Sequence, residues 1–143
     1  MNVKAILAAK GGDIVSIEPT ASLAQAAARL AEHRIGALLV LGAGRRVAGI
    51  LSERDIVRAL AQRGAQALDE PVSQAMTRKV ASCAGDEPIL SIMERMTAGK
   101  FRHMPVLDGE MLIGIVSIGD VVKQRLDEME RESEAIRDYI QTA

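Results

Sequence analysis

Gly49-Ile50-Leu51-Ser52-Glu53-Arg54-Asp55-Ile56-Val57 returns later in the chain as Gly114-Ile115-Val116-Ser117-Ile118-Gly119-Asp120-Val121-Val122. The two stretches lie 65 positions apart, and seven of the nine positions are identical or exchange one branched aliphatic residue for another. Upstream the offset becomes 66. Leu23, Ala26, Ala27 and Leu30 fall on Ile89, Ile92, Met93 and Met96, and Ile35 and Val40 fall on Phe101 and Val106. One extra residue in the Gly42 to Arg46 turn of the first copy accounts for the change. A repeat of this period is the strongest organising signal a sequence carries.

Each copy reads in the same order. A short strand (14–17, 80–83) leads through a turn holding Pro19 or Pro88 into a helix with apolar residues every three or four positions, ending near Arg34 or Lys100. An aliphatic strand follows (37–41, 103–107), then a turn at Gly42 and Gly44 or at Asp108-Gly109, then a second strand (47–51, 112–116). A closing helix starts after Ser52 or Ser117, both suited to cap it. The order is β-α-β-β-α, twice, an α/β (α+β) fold. One copy of about 50 residues buries too little surface to stand alone, so the two are expected to pack sheet against sheet about a pseudo-twofold axis. The expected division is 1–66 for the first repeat with its N-terminal segment, 67–79 for a connecting segment crossing the surface, 80–125 for the second repeat and 126–143 for a C-terminal helix extension.

Composition narrows the function. Charge is nearly balanced, 18 Lys and Arg against 19 Asp and Glu, so no overall field draws the chain to nucleic acid or to an anionic membrane. With one Tyr, one Phe and no Trp there is no aromatic platform for stacking bases. The start of the chain lacks the apolar stretch of a secretory signal and no run is long enough to span a bilayer, so a cytoplasmic location is expected. Cys83 is the single cysteine, which excludes an internal disulfide and leaves no metal cluster. It aligns with Ile17 and reads as a small core residue. No phosphate-cradling Gly-x-x-x-x-Gly-Lys loop and no nucleophile paired with a base is present, so no catalytic residue is expected.

The recurring Gly-aliphatic-aliphatic-Ser-x-x-Asp-aliphatic-aliphatic, preceded by a helix and by a strand carrying Pro105-Val106, resembles the CBS (cystathionine-β-synthase) domain over about residues 12 to 125. The resemblance implies a pair of repeats forming a Bateman module, with an adenosine compound such as AMP, ADP, ATP, NAD(H) or S-adenosylmethionine bound in clefts between them. It also implies a regulatory module that senses energy or redox state and signals to a partner protein. The chain resembles the free-standing members of the family, which pair into disc-shaped homodimers.

Site residues carry over by position. In the family the Asp of the motif accepts hydrogen bonds from both ribose hydroxyls, a task suited to a carboxylate with two acceptor oxygens. Asp55 and Asp120 match it; the alternative is that each only favours the helix dipole from the first turn. Ser52 and Ser117 match a position whose hydroxyl reaches sugar or phosphate, and capping alone would also explain them. Arg54 offers a fork to phosphate where its counterpart Gly119 offers none. Arg102 and His103 occupy a place that often faces the phosphates, with Ala37 opposite His103 in the first copy. The family's adenine lies against the first strand of the other repeat, which implies Val80 for the Asp55 cleft and Val15 for the Asp120 cleft; both also suit a plain core. Thr77, Arg78 and Lys79 run into that strand as a basic approach or as a solvated charge run. His33, at a helix end opposite Gly99, has no ligand role.

Beyond the second motif, Val122, Leu126, Met129, Ser133, Ile136 and Ile140 follow heptad spacing in a charge-dense stretch. Such a helix either pairs with its twin or folds back on the module. Two readings of the whole follow: an adenine-nucleotide sensor, or a ligand-free dimeric interaction (scaffold) protein.

Overall fold

The computed structural model describes residues 1–11 and 14–142. In chain order its elements are α1 (Val3–Lys10), β1 (Ser16–Ile17), α2 (Leu23–His33), β2 (Ala37–Leu41), β3 (Val47–Ser52), α3 (Glu53–Arg63), α4 (Val72–Ala75), β4 (Cys83–Ala84), α5 (Ile89–Gly99), β5 (His103–Asp108), β6 (Met111–Ser117) and α6 (Ile118–Thr142), with 3-10 turns at Ala43–Arg45 and Ala65–Asp69. The twofold β-α-β-β-α order of the sequence is present. The chain divides into two compact units.

The first unit holds 13–81 together with 110–112. Its sheet runs β1-β2-β3, with β1 parallel to β2 (Ile17 opposite Val40) and β2 antiparallel to β3 (Ala37 opposite Ser52, Val40 opposite Gly49). Aliphatic residues on all of β2 except its last position are buried, as expected of a strand covered on both faces. Helix α2 is capped at Ser22 through a reciprocal box with Gln25, and it ends on Arg34 in the left-handed conformation at φ 55. Its Leu23, Ala26 and Leu30 join Ile17, Leu38, Val40 and Leu51 in one core.

That core corrects one expectation. The connecting segment does not run over the surface, because Ala67 and Val72 are fully buried and Met76 nearly so. The segment is an integral wall of the first unit. Val72 N–H donates to Ala21 C=O (2.7 Å), Leu23 N–H donates to Glu70 C=O (3.0 Å), and Thr77 and Ile50 exchange two backbone hydrogen bonds of 2.9 and 3.0 Å. The apolar steps from Ala67 to Val72 to Met76 supply side chains that the small first sheet needs in order to close its core.

The second unit takes 82–109 and 113–143 and also the N-terminal helix α1. Its sheet runs β4-β5-β6, with β4 parallel to β5 (Cys83 opposite Val106) and the turn after β5 made at Gly109, φ 62. Helix α5 ends on Lys100 at φ 57, matching Arg34 in the first unit. Val3 and Ile6 of α1 are buried; Val3 N–H donates to Glu87 C=O (3.1 Å) and Lys4 N–H to Gly85 C=O (2.9 Å). Each lead helix thus belongs to the unit of the other repeat: α1 precedes the first repeat and packs in the second unit, and α4 precedes the second and packs in the first. Both first strands are shorter than expected, two residues each.

Candidate functional site

In each unit the motif spans the end of a strand and the first turn of a helix. Ser52 has extended backbone (φ −108, ψ 163) and caps α3. Its N–H donates to Asp55 Oδ2 (2.9 Å), its hydroxyl lies 3.1 Å from the same oxygen, and Asp55 N–H donates to Ser52 Oγ (3.3 Å). The geometry satisfies two of the free N–H groups at the helix start and fixes the carboxylate. Asp55 is only 7% exposed and is the one buried charged residue among those described. Its second oxygen faces Arg58, whose guanidinium stands 3.6 Å away. Glu53 N–H donates to Gly36 C=O (3.0 Å), which holds the start of β2 beside the helix start.

The second unit repeats the frame. Ser117 N–H donates to Asp120 Oδ2 (2.9 Å) and Asp120 N–H donates to Ser117 Oγ (3.1 Å). Ile118 N–H donates to Arg102 C=O (2.8 Å), which sets Arg102 and the adjacent His103, at the start of β5, beside this helix start. Asp120 differs from Asp55 in its partner. The Lys10 ammonium, at the end of α1, donates to Asp120 Oδ2 (2.8 Å) and to Ile115 C=O (3.1 Å). Burial alone raises the Asp120 carboxyl, but the hydrogen bonds from Lys10 and from the Ser117 N–H and hydroxyl, with the Lys10 charge, outweigh it and hold it below its ordinary value of 3.8.

The remaining candidates distribute as follows. In the first unit Arg54 is exposed one residue before Asp55, Thr77 and Lys79 are exposed, and Val15 and Val80 are half-buried. Thr77 is brought to the motif through its backbone bridge to Ile50, two residues before Ser52. In the second unit Arg102 is exposed and His103 half-buried. Val15 falls in the first unit and Asp120 in the second. Cys83 is buried, with its Sγ 3.8 Å from Pro105 C=O. Burial, then the charge of Glu87, push the thiol up to about 11 against the opposing pull of Arg95.

Two partners of the motif carboxylates escaped the sequence reading. Arg58 follows Asp55 by three positions on a helix, a spacing that places the two side chains together. Lys10 carried a subtler signal. Val3, Leu7 and Lys10 repeat as Val72, Met76 and Lys79 at an offset of 69, outside the 65 and 66 of the main repeat. No group of three or more His, Cys, Asp and Glu able to hold a metal occurs among the described residues, and no described helix is long and apolar enough to cross a membrane.

Comparison with known proteins matches this geometry. The CBS domain family model matches twice, at 3–62 and 72–127. The crystal structure of a CBS-domain containing protein from Agrobacterium tumefaciens is similar at 47% identity and TM-score 0.84, over 87% of this chain and 92% of that one. The CBS domain pair of protein MJ0100, solved with 5′-methylthioadenosine and S-adenosyl-L-methionine, is similar at 26% identity and TM-score 0.79, over 90% and 98%. A CBS domain protein of Pyrobaculum aerophilum complexed with AMP is similar at 28% identity and TM-score 0.75, over 84% and 89%. Among curated relatives the chain spans 66% of the length of one at 37% identity and 56% of another at 34%. With the family model matched over most of its length in two copies, the chain belongs to the CBS domain family.

Proposed function

We propose that the protein is a regulatory module that binds an adenosine-containing compound, AMP, ADP, ATP or NAD(H), and reports energy or redox state to a partner protein in the cytoplasm. The observation that carries this reading is Asp55: a buried carboxylate with one oxygen fixed by Ser52 and the other turned to the exposed Arg58 at 3.6 Å, a weak contact that ribose hydroxyls could replace. The adenosine ligands of two similar structures support it. Ser52 and Ser117 would line the sugar, Arg54, Thr77, Lys79, Arg102 and His103 would meet phosphates, and Val15 and Val80 would contact adenine. The module is regulatory rather than catalytic and works as a homodimer. Its Cys83 thiol, buried and protonated at neutral pH, offers no nucleophile.

Equilibrium titration with AMP, ATP and NADH tests the reading. Asp55→Asn retains an oxygen to cap α3 but loses a ribose acceptor, and the Asp55→Asn, Asp120→Asn double variant should bind at least about tenfold more weakly, the cost of one charge-assisted hydrogen bond. Unchanged affinity in a folded double variant would remove the mechanism. A second reading, a ligand-free dimeric scaffold, is favoured by one observation: Asp120 is already satisfied by Lys10. No thermal shift with any of the three compounds would establish that reading instead.

A further inference from the structure

Helix α6 is the longest element, and it outruns its support. Val121 is buried and Gln124, Arg125, Asp127 and Glu128 are partly covered, in the part of the helix that meets α5 and α1. From Met129 to Thr142 every residue is exposed. An isolated helix of that size is marginal in water, near the lower limit of roughly 12–15 residues. Along it Val122, Leu126, Met129, Ile136 and Ile140 are exposed at 39–66%. With Ser133 they form one seam of a and d positions: Leu126, Ser133 and Ile140 at a, Val122, Met129 and Ile136 at d. The seam begins in a groove lined by Ile118, Val122, Lys123 and Leu126.

The charges beside the seam identify the occupant. The g positions are Arg125, Glu132 and Tyr139, and the e positions are Lys123, Glu130 and Arg137. In a parallel, in-register pair each g residue faces the e residue five positions on in the other helix. Arg125 then meets Glu130 of the second copy and Glu132 meets Arg137, each twice by symmetry. An antiparallel pair with the same six seam layers covered sets Glu130 against Glu130 and Glu132 against Glu132. Sliding an antiparallel pair to relieve those contacts leaves Ile136 and Ile140 outside the seam, or leaves Val122 outside it. Only the parallel pair covers all six layers without like charges opposed.

We propose that α6 forms a parallel, in-register two-stranded coil with α6 of a second copy of this chain, Ser133 facing Ser133 near its middle. The proposal rests on the homodimer reading for the second copy and not on nucleotide binding. It fixes which ends of the two subunits lie together.

Leu126→Cys and Ile136→Cys, which each face their own copy in the parallel coil and face each other in the antiparallel one, are each made alone in the full chain to test it, with wild type and its buried Cys83 as control. Mild oxidation should link each single variant into a disulfide dimer. Glu130→Arg should weaken the dimer about tenfold in sedimentation, and adding Arg125→Glu should restore it. Cross-linking only when the two cysteine variants are mixed would overturn the proposal in favour of an antiparallel pair. A dimer by sedimentation with no cross-link in either variant or the mixture would place the interface elsewhere and leave the homodimer standing. A monomer would remove both.

Discussion

Replacing Gly49 with alanine should damage the protein far more than replacing Gly114, although the two open the same motif. A Cβ on Gly49 would stand 2.7 Å from the carbonyl oxygen of Thr77 and 2.9 Å from Met76 Sδ. The first obstacle is backbone, and it is backbone held by the paired hydrogen bonds of Thr77 with Ile50. Relief requires β3 and the segment after α4 to part, which weakens two hydrogen bonds worth about 1 kcal/mol each and strains a packed core by about 1–3 kcal/mol. The expected loss for Gly49→Ala is about 2–4 kcal/mol. The three atoms nearest to a Cβ on Gly114 all belong to the Leu7 side chain, Cδ2 at 2.5 Å, Cδ1 at 3.2 Å and Cγ at 3.4 Å. A leucine side chain can rotate or lean away at a cost of about 0.5–1.5 kcal/mol. Urea unfolding of the two variants and wild type measures the difference directly, with midpoints compared at constant slope. In a melt the first variant should fall by roughly 8–16 °C and the second by a few degrees. Equal losses would refute the reasoning, because they would mean that the Thr77 backbone yields as easily as a leucine methyl.

Two further outcomes follow from the charges and the thiol. Lys10→Met should destabilise the protein at pH 7, and the gap from wild type should close as pH falls below 3.8. The sign follows from Asp120, whose folded-state carboxyl lies below its ordinary value: its contribution is complete above the unfolded value and disappears as the folded carboxyl takes up its proton. Urea midpoints at pH 7 and pH 3 check this, and an equal gap at both would rule out the ion pair as its source. Cys83, buried and pushed up to about 11, should resist iodoacetamide at pH 8 in the native protein and react only in denaturant; rapid labelling of the native protein, followed by mass spectrometry, would contradict its placement.

The parts of this fold legible in the sequence are those set by neighbouring residues. The strand at Ala37–Leu41 is a run of five apolar residues between punctuating glycines, and the starts of α3 and α6 are marked by Ser52 and Ser117 with an acid three positions on. Asp55 and Asp120 were legible as a pair because the repeat sets them in register. The lead helices were not. Residues 72–75 make a single turn, too short for periodicity, and the match between the leads runs at a different offset from the rest. The pairing of Lys10 with Asp120 joins positions 110 apart, and no local pattern announces such a contact. The two first strands shrink to two residues because only Ser16–Ile17 and Cys83–Ala84 find a parallel partner in β2 and β5.

The placement of α1 and α4 has a consequence for how the chain can be divided. The stretch of sequence that is duplicated and the body that folds are not the same thing: each body takes in the helix that leads into the other repeat. A cut near residue 66 therefore strands Val3 and Ile6 with the wrong fragment and takes Val72 and Met76 from the half that buries them. Neither product is a smaller version of the whole. The two halves can only complete themselves by finding each other, so fragments made at that boundary should gain their structure on mixing rather than separately.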